Sequence, residues 1–205
     1  MTDRCRLTGA CCSRVAFAPG GKGGREGREI VALVAFLRGV NVGGHRAFRP
    51  RVLAEELARY DVVNVGAAGT FVIRRPITRA QLRAELSRRL PFTAQVMICE
   101  GRELLALRAD DLFRKAPKGP DVVRFVSVMA KRPRLVPTTP INLPREGTWL
   151  LRILATENRF LVGVYRRRMR VIGYLGTIDR LLGVAVTTRN WNTITSVVKV
   201  LQDST

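Results

Sequence analysis

A glycine-rich stretch in the first third of the chain has the residues needed to hold an anion. Residues 37–44 read LRGVNVGG, and the candidate ligand-binding residues there are Arg38, Gly39, Asn41, Gly43 and Gly44. The stretch joins an apolar segment to a helix start, where glycines let the backbone approach a ligand and helix N–H groups can face a negative charge. Its spacing matches neither the dinucleotide-binding nor the P-loop fingerprint. A tight turn that needs positive φ is therefore the alternative interpretation.

A second junction of this kind lies near the end of the chain. Residues 187–193 read TTRNWNT, and the candidates there are Arg189, Asn190, Trp191 and Asn192. Arg189 and Asn192 would place polar groups at the positive end of a helix dipole, where an anion binds. The alternative is that Thr188 or Asn190 caps the helix and that the tryptophan is simply buried.

A run of arginines is the third candidate. This basic patch consists of Arg166, Arg167, Arg168 and Arg170. Clustered arginines suit phosphate groups, and the adjacent Tyr165 could stack on a nucleobase. The alternative is a solvated loop in a protein that is rich in arginine throughout.

No familiar catalytic constellation is present, so catalytic residues stay unassigned. There is no Ser-His-Asp arrangement with a nucleophile elbow, and His45 is the only histidine and hence the only ready general base near neutral pH. Cys5, Cys11, Cys12 and Cys99 lack the second Cys or His cluster of a zinc site. We therefore predict no metal and no cofactor, and free thiols in a cytoplasmic protein.

The formal net charge is +20. It is spread over both halves of the chain, and a surface of this kind attracts nucleic acid or phosphorylated small molecules. Of the 36 basic residues 31 are arginine, a skew that a GC-rich coding bias would also produce. No apolar run approaches the roughly 18 residues of a membrane span, so we predict no membrane partner.

The elements that must position these residues form a regular series. Strands are predicted at 30–37, 61–65, 70–74 and 93–99, and helices at 50–60 and 79–90, the second capped by Thr78. The order is βαββαβ, a ferredoxin-like or α/β-plait unit. The continuous apolar run at 30–37 predicts a strand buried on both faces, covered either by the other half of the chain or in a homodimer.

The series then recurs after a linking helix around 102–108. Strands are predicted at 122–129, 149–155, 159–165 and 184–188, a short helix at 178–182 and a closing helix at 190–201. The first crossover helix is missing because that region carries Pro133, Pro137, Pro140 and Pro144. The predicted fold class is thus α+β, with two tandem ferredoxin-like units, the second having a Pro-rich loop in place of its first crossover helix.

Four segments follow from this series. Residues 1–29 are predicted to be a disordered or artefactual extension that contributes nothing to fold or function, with the natural protein starting near Val31. Residues 30–99 form the first unit, 100–120 a linker helix and loop, and 121–205 the second unit.

The LRGVNVGG and TTRNWNT stretches also resemble the opening and closing signatures of a bacterial family, DUF1697, which has no assigned activity. The resemblance covers about residues 30–202 and implies a pair of ferredoxin-like subdomains. It places Ala68, Gly69 and Thr70 where the family usually has SGN, and Arg170, Val171 and Ile172 where it usually has Arg-Ser-Lys.

Our leading hypothesis is a binding protein for nucleic acid or a phosphorylated ligand. The second is a small-molecule enzyme whose site is formed jointly by the LRGVNVGG loop and the TTRNWNT loop. The third is a scaffold or interaction module. The second hypothesis requires Arg38 and Arg189 to line one pocket.

Overall fold

A computed structural model describes residues 32–40 and 48–203, and it contains two antiparallel β-sheets with helices packed on them. The predicted α+β class is therefore confirmed. The predictions for residues 1–29 and for a natural start near Val31 lie outside the described residues.

The first sheet has four strands in the order β2-β3-β1-β4. Its elements follow one another as strand, helix, strand, strand, helix, strand, with a short 3-10 turn after the first helix. Pro50 occupies the first turn of α1, and Thr78 and Gln81 form a capping box at the start of α2. The bounds are β1 Leu33–Leu37, α1 Pro50–Glu56, β2 Val62–Asn64, β3 Thr70–Ile73, α2 Arg79–Arg89 and β4 Val96–Glu100.

The second sheet has five strands in the order β6-β7-β8-β5-β9. Two short helices link it to the first sheet, and the hairpin between β7 and β8 turns at Asn158, which has a positive φ of 53°. The bounds are α3 Gly101–Leu105, α4 Ala109–Arg114, β5 Val122–Met129, β6 Ile141–Leu143, β7 Leu151–Glu157, β8 Phe160–Arg166, α5 Val171–Leu182, β9 Val186–Asn190 and α6 Trp191–Gln202.

The buried apolar residues form three layers, and the inner one lies between the two sheets. Alternate residues of β1 point to opposite faces: Leu33 and Leu37 pack with α1 and α2, whereas Phe36 packs with the inner layer between the sheets. The inner layer also takes in residues of β5, β8, α4 and α6, and α5 covers the outer face of the second sheet. The two halves of one chain thus cover each other's inner faces.

Three sequence predictions are wrong in detail. The helix predicted at 178–182 starts seven residues earlier, because Val171, Ile178 and Leu182 are buried against the sheet and outweigh the cost of Gly173 and Gly176. Helix α4 and the edge strand β6 were missed. Both are too short to show a periodic pattern and are held by tertiary contacts.

The stretch between β5 and β7 contains no helix, as its prolines predict. Residues 130–150 contain no helix, and β6 is their single strand. Four prolines occupy this stretch, each of which removes a backbone donor and fixes φ. The extended chain therefore runs along the sheet edge rather than crossing it as a helix.

Arg159 is a buried cation between the two sheets. Its guanidinium donates to the carbonyl of Ile98 in β4 at 2.8 Å and to the carbonyls of Met129 and Ala130 at 2.7 and 3.0 Å. Burial lowers the pKa of Arg159. A carbonyl at the edge of the first sheet is thereby satisfied by a side chain from the second.

Two further features of the described residues are a buried cysteine and the absence of a helix that could span a membrane. Cys99 is a free, buried thiol, and burial raises its pKa to about 12, so it is a poor nucleophile. Among residues 32–40 and 48–203, no helix has the length and apolarity needed to cross a bilayer.

Candidate functional site

The described part of the LRGVNVGG stretch, residues 37–40, meets Thr187, Thr188 and Arg189 of the TTRNWNT stretch in one cleft where the sheets join. This junction cleft has a volume of about 310 Å³ and opens beside the end of β1 and the start of β9. Arg38 and Arg189 both line it, as the second sequence hypothesis requires. The described lining residues are Leu37, Arg38, Gly39, Val40, Ala68, Leu175, Gly176, Asp179, Val186, Thr187, Thr188 and Arg189.

Arg38 follows the last residue of β1 and reaches across the cleft to the other half of the chain. Its Nη1 donates to Oε1 of Gln95 at 3.1 Å, and its Nη2 lies 2.5 Å from Oδ2 of Asp179 on α5. The side chain of Arg38 is 36% exposed and that of Asp179 is 24% exposed. The other carboxylate oxygen of Asp179 accepts from the backbone N–H of Val186, which fixes its orientation.

Arg189 forms the buried wall of the same cleft. Its Nε donates to the hydroxyl of Thr70 at 2.8 Å, and its Nη2 donates to the carbonyls of Leu37 and Ala68 at 2.7 and 2.6 Å. Further bonds go to Thr187 and Thr188 on its own strand. Ala68 and Thr70, at the start of β3, thus accept hydrogen bonds from a side chain of β9.

No carboxylate among the described residues balances the charge of Arg189. None of the ion pairs formed among residues 32–40 and 48–203 includes Arg189, and its acceptors are all neutral. Burial lowers its pKa to about 10, so it remains protonated at neutral pH. With Asp179 as the one acidic group against two arginines, the described lining of the cleft carries a net positive charge.

Asn190, Trp191 and Asn192, which follow Arg189 in the TTRNWNT stretch, lie at the start of α6. Oδ1 of Asn190 accepts from the backbone N–H of Thr193 at 2.8 Å and caps the helix. Trp191 is half-buried and packs edge-on against Phe113 of α4, with ring centroids 5.1 Å apart. Asn192 is exposed. None of these three lines the junction cleft.

Replacing Trp191 by alanine is expected to lower the free energy of unfolding by about 2–3 kcal/mol, somewhat less than for a fully buried aromatic residue. The reason is the loss of its contact with Phe113 and with the inner layer. Urea denaturation measures the change, with Asn192→Ala as a control expected to stay within about 0.5 kcal/mol. A Trp191→Ala cost below about 1 kcal/mol would contradict this packing role.

Only part of the LRGVNVGG stretch is described. Gly39 lines the junction cleft with φ at 64°, a left-handed conformation that glycine adopts without strain. Asn41, Gly43, Gly44 and His45 lie outside the described residues. Arg38 and Gly39 are therefore the candidates of this stretch that the structure places.

The basic patch lies away from the junction cleft, at the turn between β8 and α5. Arg166 is committed to structure: it pairs with Asp121 at 2.9 Å and stacks on the ring of Trp149 at 4.6 Å. Arg168 and Arg170 are exposed and line a second cleft of about 500 Å³, together with Tyr174. Tyr165 instead packs against Phe125 in the core.

Two functional candidates were missed by the sequence interpretation. Asp179 was not considered, although it is the one acidic residue between positions 158 and 202, in a segment rich in arginine. Tyr174 was missed with the first turns of α5. Across the described residues, no group of three or more His, Cys, Asp or Glu side chains has the arrangement of a metal site.

Comparisons with known proteins identify a family but no activity. Residues 31–142 match the model of the family described as "Protein of unknown function (DUF1697)". The matched range includes the LRGVNVGG stretch of this chain. A solved structure of conserved bacterial protein SP0830 from Streptococcus pneumoniae is 15% identical, covering 83% of this chain and 98% of that one, with a TM-score of 0.49. No curated protein matches the chain.

Proposed function

Because this chain belongs to the DUF1697 family of proteins of unknown function, we propose a function from the site itself: the protein binds a small phosphorylated molecule in the junction cleft. The observation that carries the proposal is the position of Arg38. Its guanidinium lines a cleft of metabolite size and is held there by one partly exposed ion pair, to Asp179, and one hydrogen bond, to Gln95.

The Arg38–Asp179 pair can be exchanged at small cost. A partly exposed ion pair contributes less than about 1 kcal/mol to stability. A phosphate can offer the guanidinium two oxygen acceptors in a planar, bidentate arrangement, and such charge-assisted bonds are stronger than those to neutral groups. An incoming phosphate would therefore displace Asp179 from Arg38 with a net gain.

Arg189 adds to this preference for anions. Its charge is uncompensated among the described residues, and the surrounding protein has a lower dielectric constant than water. The guanidinium nitrogens are already bonded to protein acceptors, so Arg189 acts through its field rather than through direct contact. A ligand with negative charge would stabilise the buried positive charge of Arg189, and a cationic ligand would be repelled by it.

Binding rather than catalysis is proposed because of the composition of the cleft. Asp179 is the one carboxylate among its described lining residues, and no histidine or cysteine is among them. The two threonine hydroxyls are bonded within the protein: Thr188 to Ser127 at 2.7 Å, and Thr187 to Arg189 at 2.8 Å. Asp179 is paired with Arg38 in the cleft, and no other described lining side chain is a ready general acid or base near neutral pH.

Isothermal titration calorimetry with inorganic phosphate, ribose 5-phosphate and AMP tests the proposal, with succinate as a carboxylate comparison. We expect at least one phosphorylated probe to bind, and Arg38→Ala to weaken it by about tenfold or more, the equivalent of one charged hydrogen bond. Asp179→Asn should strengthen binding, because it removes the competing negative charge and keeps the acceptor for Val186.

Arg102→Ala is the matched control for Arg38→Ala. Arg102 is also an arginine paired with one carboxylate, Glu100 at 2.6 Å, but it lies on α3 outside the cleft. Binding of no phosphorylated probe, or equal losses in the two variants, would refute the proposal. Binding of succinate alone would refute its phosphate part.

The finer description of the fold is also proposed here. We infer that the two sheets are tandem ferredoxin-like units, because β2-β3-β1-β4 and β7-β8-β5-β9 are the same strand order counted from the first strand of each unit. Strand β6 would then be an addition at the edge of the second unit. A homodimer and a cytoplasmic location stay predictions.

A further inference from the structure

We propose that the second cleft, at the turn between β8 and α5, binds single-stranded nucleic acid, independently of the junction cleft. We call it the arginine cleft, after Arg168 and Arg170, which line it. It has a volume of about 500 Å³, within the range of pockets that enclose a small ligand or a nucleobase.

The two arginines are available for phosphate groups. Both are exposed, and none of the ion pairs formed among the described residues includes either of them. Asp121, the acidic residue at this turn, forms its ion pair with Arg166, whose hydrogen bond is the main cause of the lowered pKa of Asp121, and Arg168 adds a smaller Coulombic effect. Glu146, on the adjacent loop, is exposed to solvent.

The backbone that carries these arginines is held in place by hydrogen bonds. The N–H of Arg167 donates to the carbonyl of Asp121 at 2.8 Å, and the N–H of Arg168 to the carbonyl of Arg166 at 2.7 Å. The N–H of Val171 donates back to the carbonyl of Arg168 at 3.0 Å. The cost of ordering the turn is thus already met in the free protein, which favours binding.

The remaining lining is suited to a nucleobase. Leu150, Met169 and the ring of Tyr174 contribute apolar and aromatic surface, and Met169 is 83% exposed, unusually high for a large apolar side chain. Base stacking on an aromatic ring tolerates any sequence, and arginines beside the ring can follow the backbone. A duplex hides its bases, so the site favours single strands.

The long-range field supports the same ligand. A net charge of +20 raises the local concentration of any polyanion and speeds its association. The field selects for charge alone, however, and the arginine cleft supplies the short-range contacts that distinguish a nucleic acid from other polyanions.

Fluorescence anisotropy with a labelled oligouridylate of about 12 nucleotides tests this inference, since single-strand sites span roughly 4–16 nucleotides. Losing two phosphate contacts through the double variant Arg168→Ala/Arg170→Ala should weaken binding about 25-fold at 0.1 M salt and reduce the slope of log K against log salt by about 1.4. Tyr174→Leu should weaken binding by about tenfold, whereas Tyr174→Phe should preserve it.

The double variant Arg132→Ala/Arg134→Ala is the charge-matched control. Both residues are exposed, and Arg132 bonds to Asn158 at the opposite end of the β7–β8 hairpin. We expect the control to keep the salt slope of the parent chain.

Three results would overturn the inference. Equal weakening by both double variants would mean that overall charge alone binds the strand. Equal affinity for a duplex of the same length would exclude base recognition. Binding of phosphatidylserine vesicles that depends on Arg168 and Arg170, with no binding of oligouridylate, would assign the surface to membranes.

Discussion

Replacing Arg189 by methionine is expected to lower the free energy of unfolding by about 3 kcal/mol. Methionine keeps much of the side-chain volume but removes every donor. The carbonyls of Leu37 and Ala68 and the hydroxyl of Thr70 would then lose their bonds to Arg189. Each buried polar group left without a partner costs about 1–3 kcal/mol, partly offset because a buried charge no longer has to be desolvated.

Position decides the size of this effect. Arg189 is 6% exposed and joins β9 to the end of β1 and to the start of β3, so its loss weakens the contact between the two sheets. Arg102→Met, at an exposed surface pair, should cost less than about 1 kcal/mol. Urea denaturation of both variants measures the difference, and a similar small change in each would show that Arg189 is not the link described here.

The second large effect is expected at Gly163, in the middle of β8. A Cβ atom there would lie 2.6 Å from the carbonyl oxygen of Arg152 and 2.6 Å from the ring of Phe125, which is fully buried. Neither neighbour can move freely, since one is backbone in a paired strand and the other fills the core. Gly163→Ala should therefore destabilise the protein by about 3 kcal/mol through overpacking.

Gly173→Ala provides the contrasting control. Gly173 lies in α5 with no atom within 4 Å of an added Cβ, so alanine should leave stability unchanged or raise it by up to about 1 kcal/mol. Thermal or urea unfolding of both variants gives the comparison. If Gly163→Ala unfolds at the same urea concentration as the parent chain, the close approach of β7, β8 and Phe125 is incorrect.

Local interactions explain which elements the sequence determined. The predicted strand at 122–129 has the same bounds as β5, and Thr78 and Asn190 cap the helices that follow them. Caps act within four residues, and proline acts at its own position, so both can be recognised without knowing the fold. Helix α5 begins seven residues before the predicted helix, because its burial against the sheet is not visible in the local sequence.

The candidate site, too, has features that the local sequence predicts and features that only the fold shows. The sequence predicted that Arg38 and Arg189 lie at two strand-to-helix junctions and made them candidates for anion binding, because glycines, capping residues and arginines are recognisable by type and spacing. Only the tertiary structure decided that Arg189 is buried in the wall of the cleft and that Asp179 faces Arg38. The bond from Arg189 to Leu37 joins residues 152 positions apart. Such a contact depends on how two sheets pack, and no local pattern encodes it.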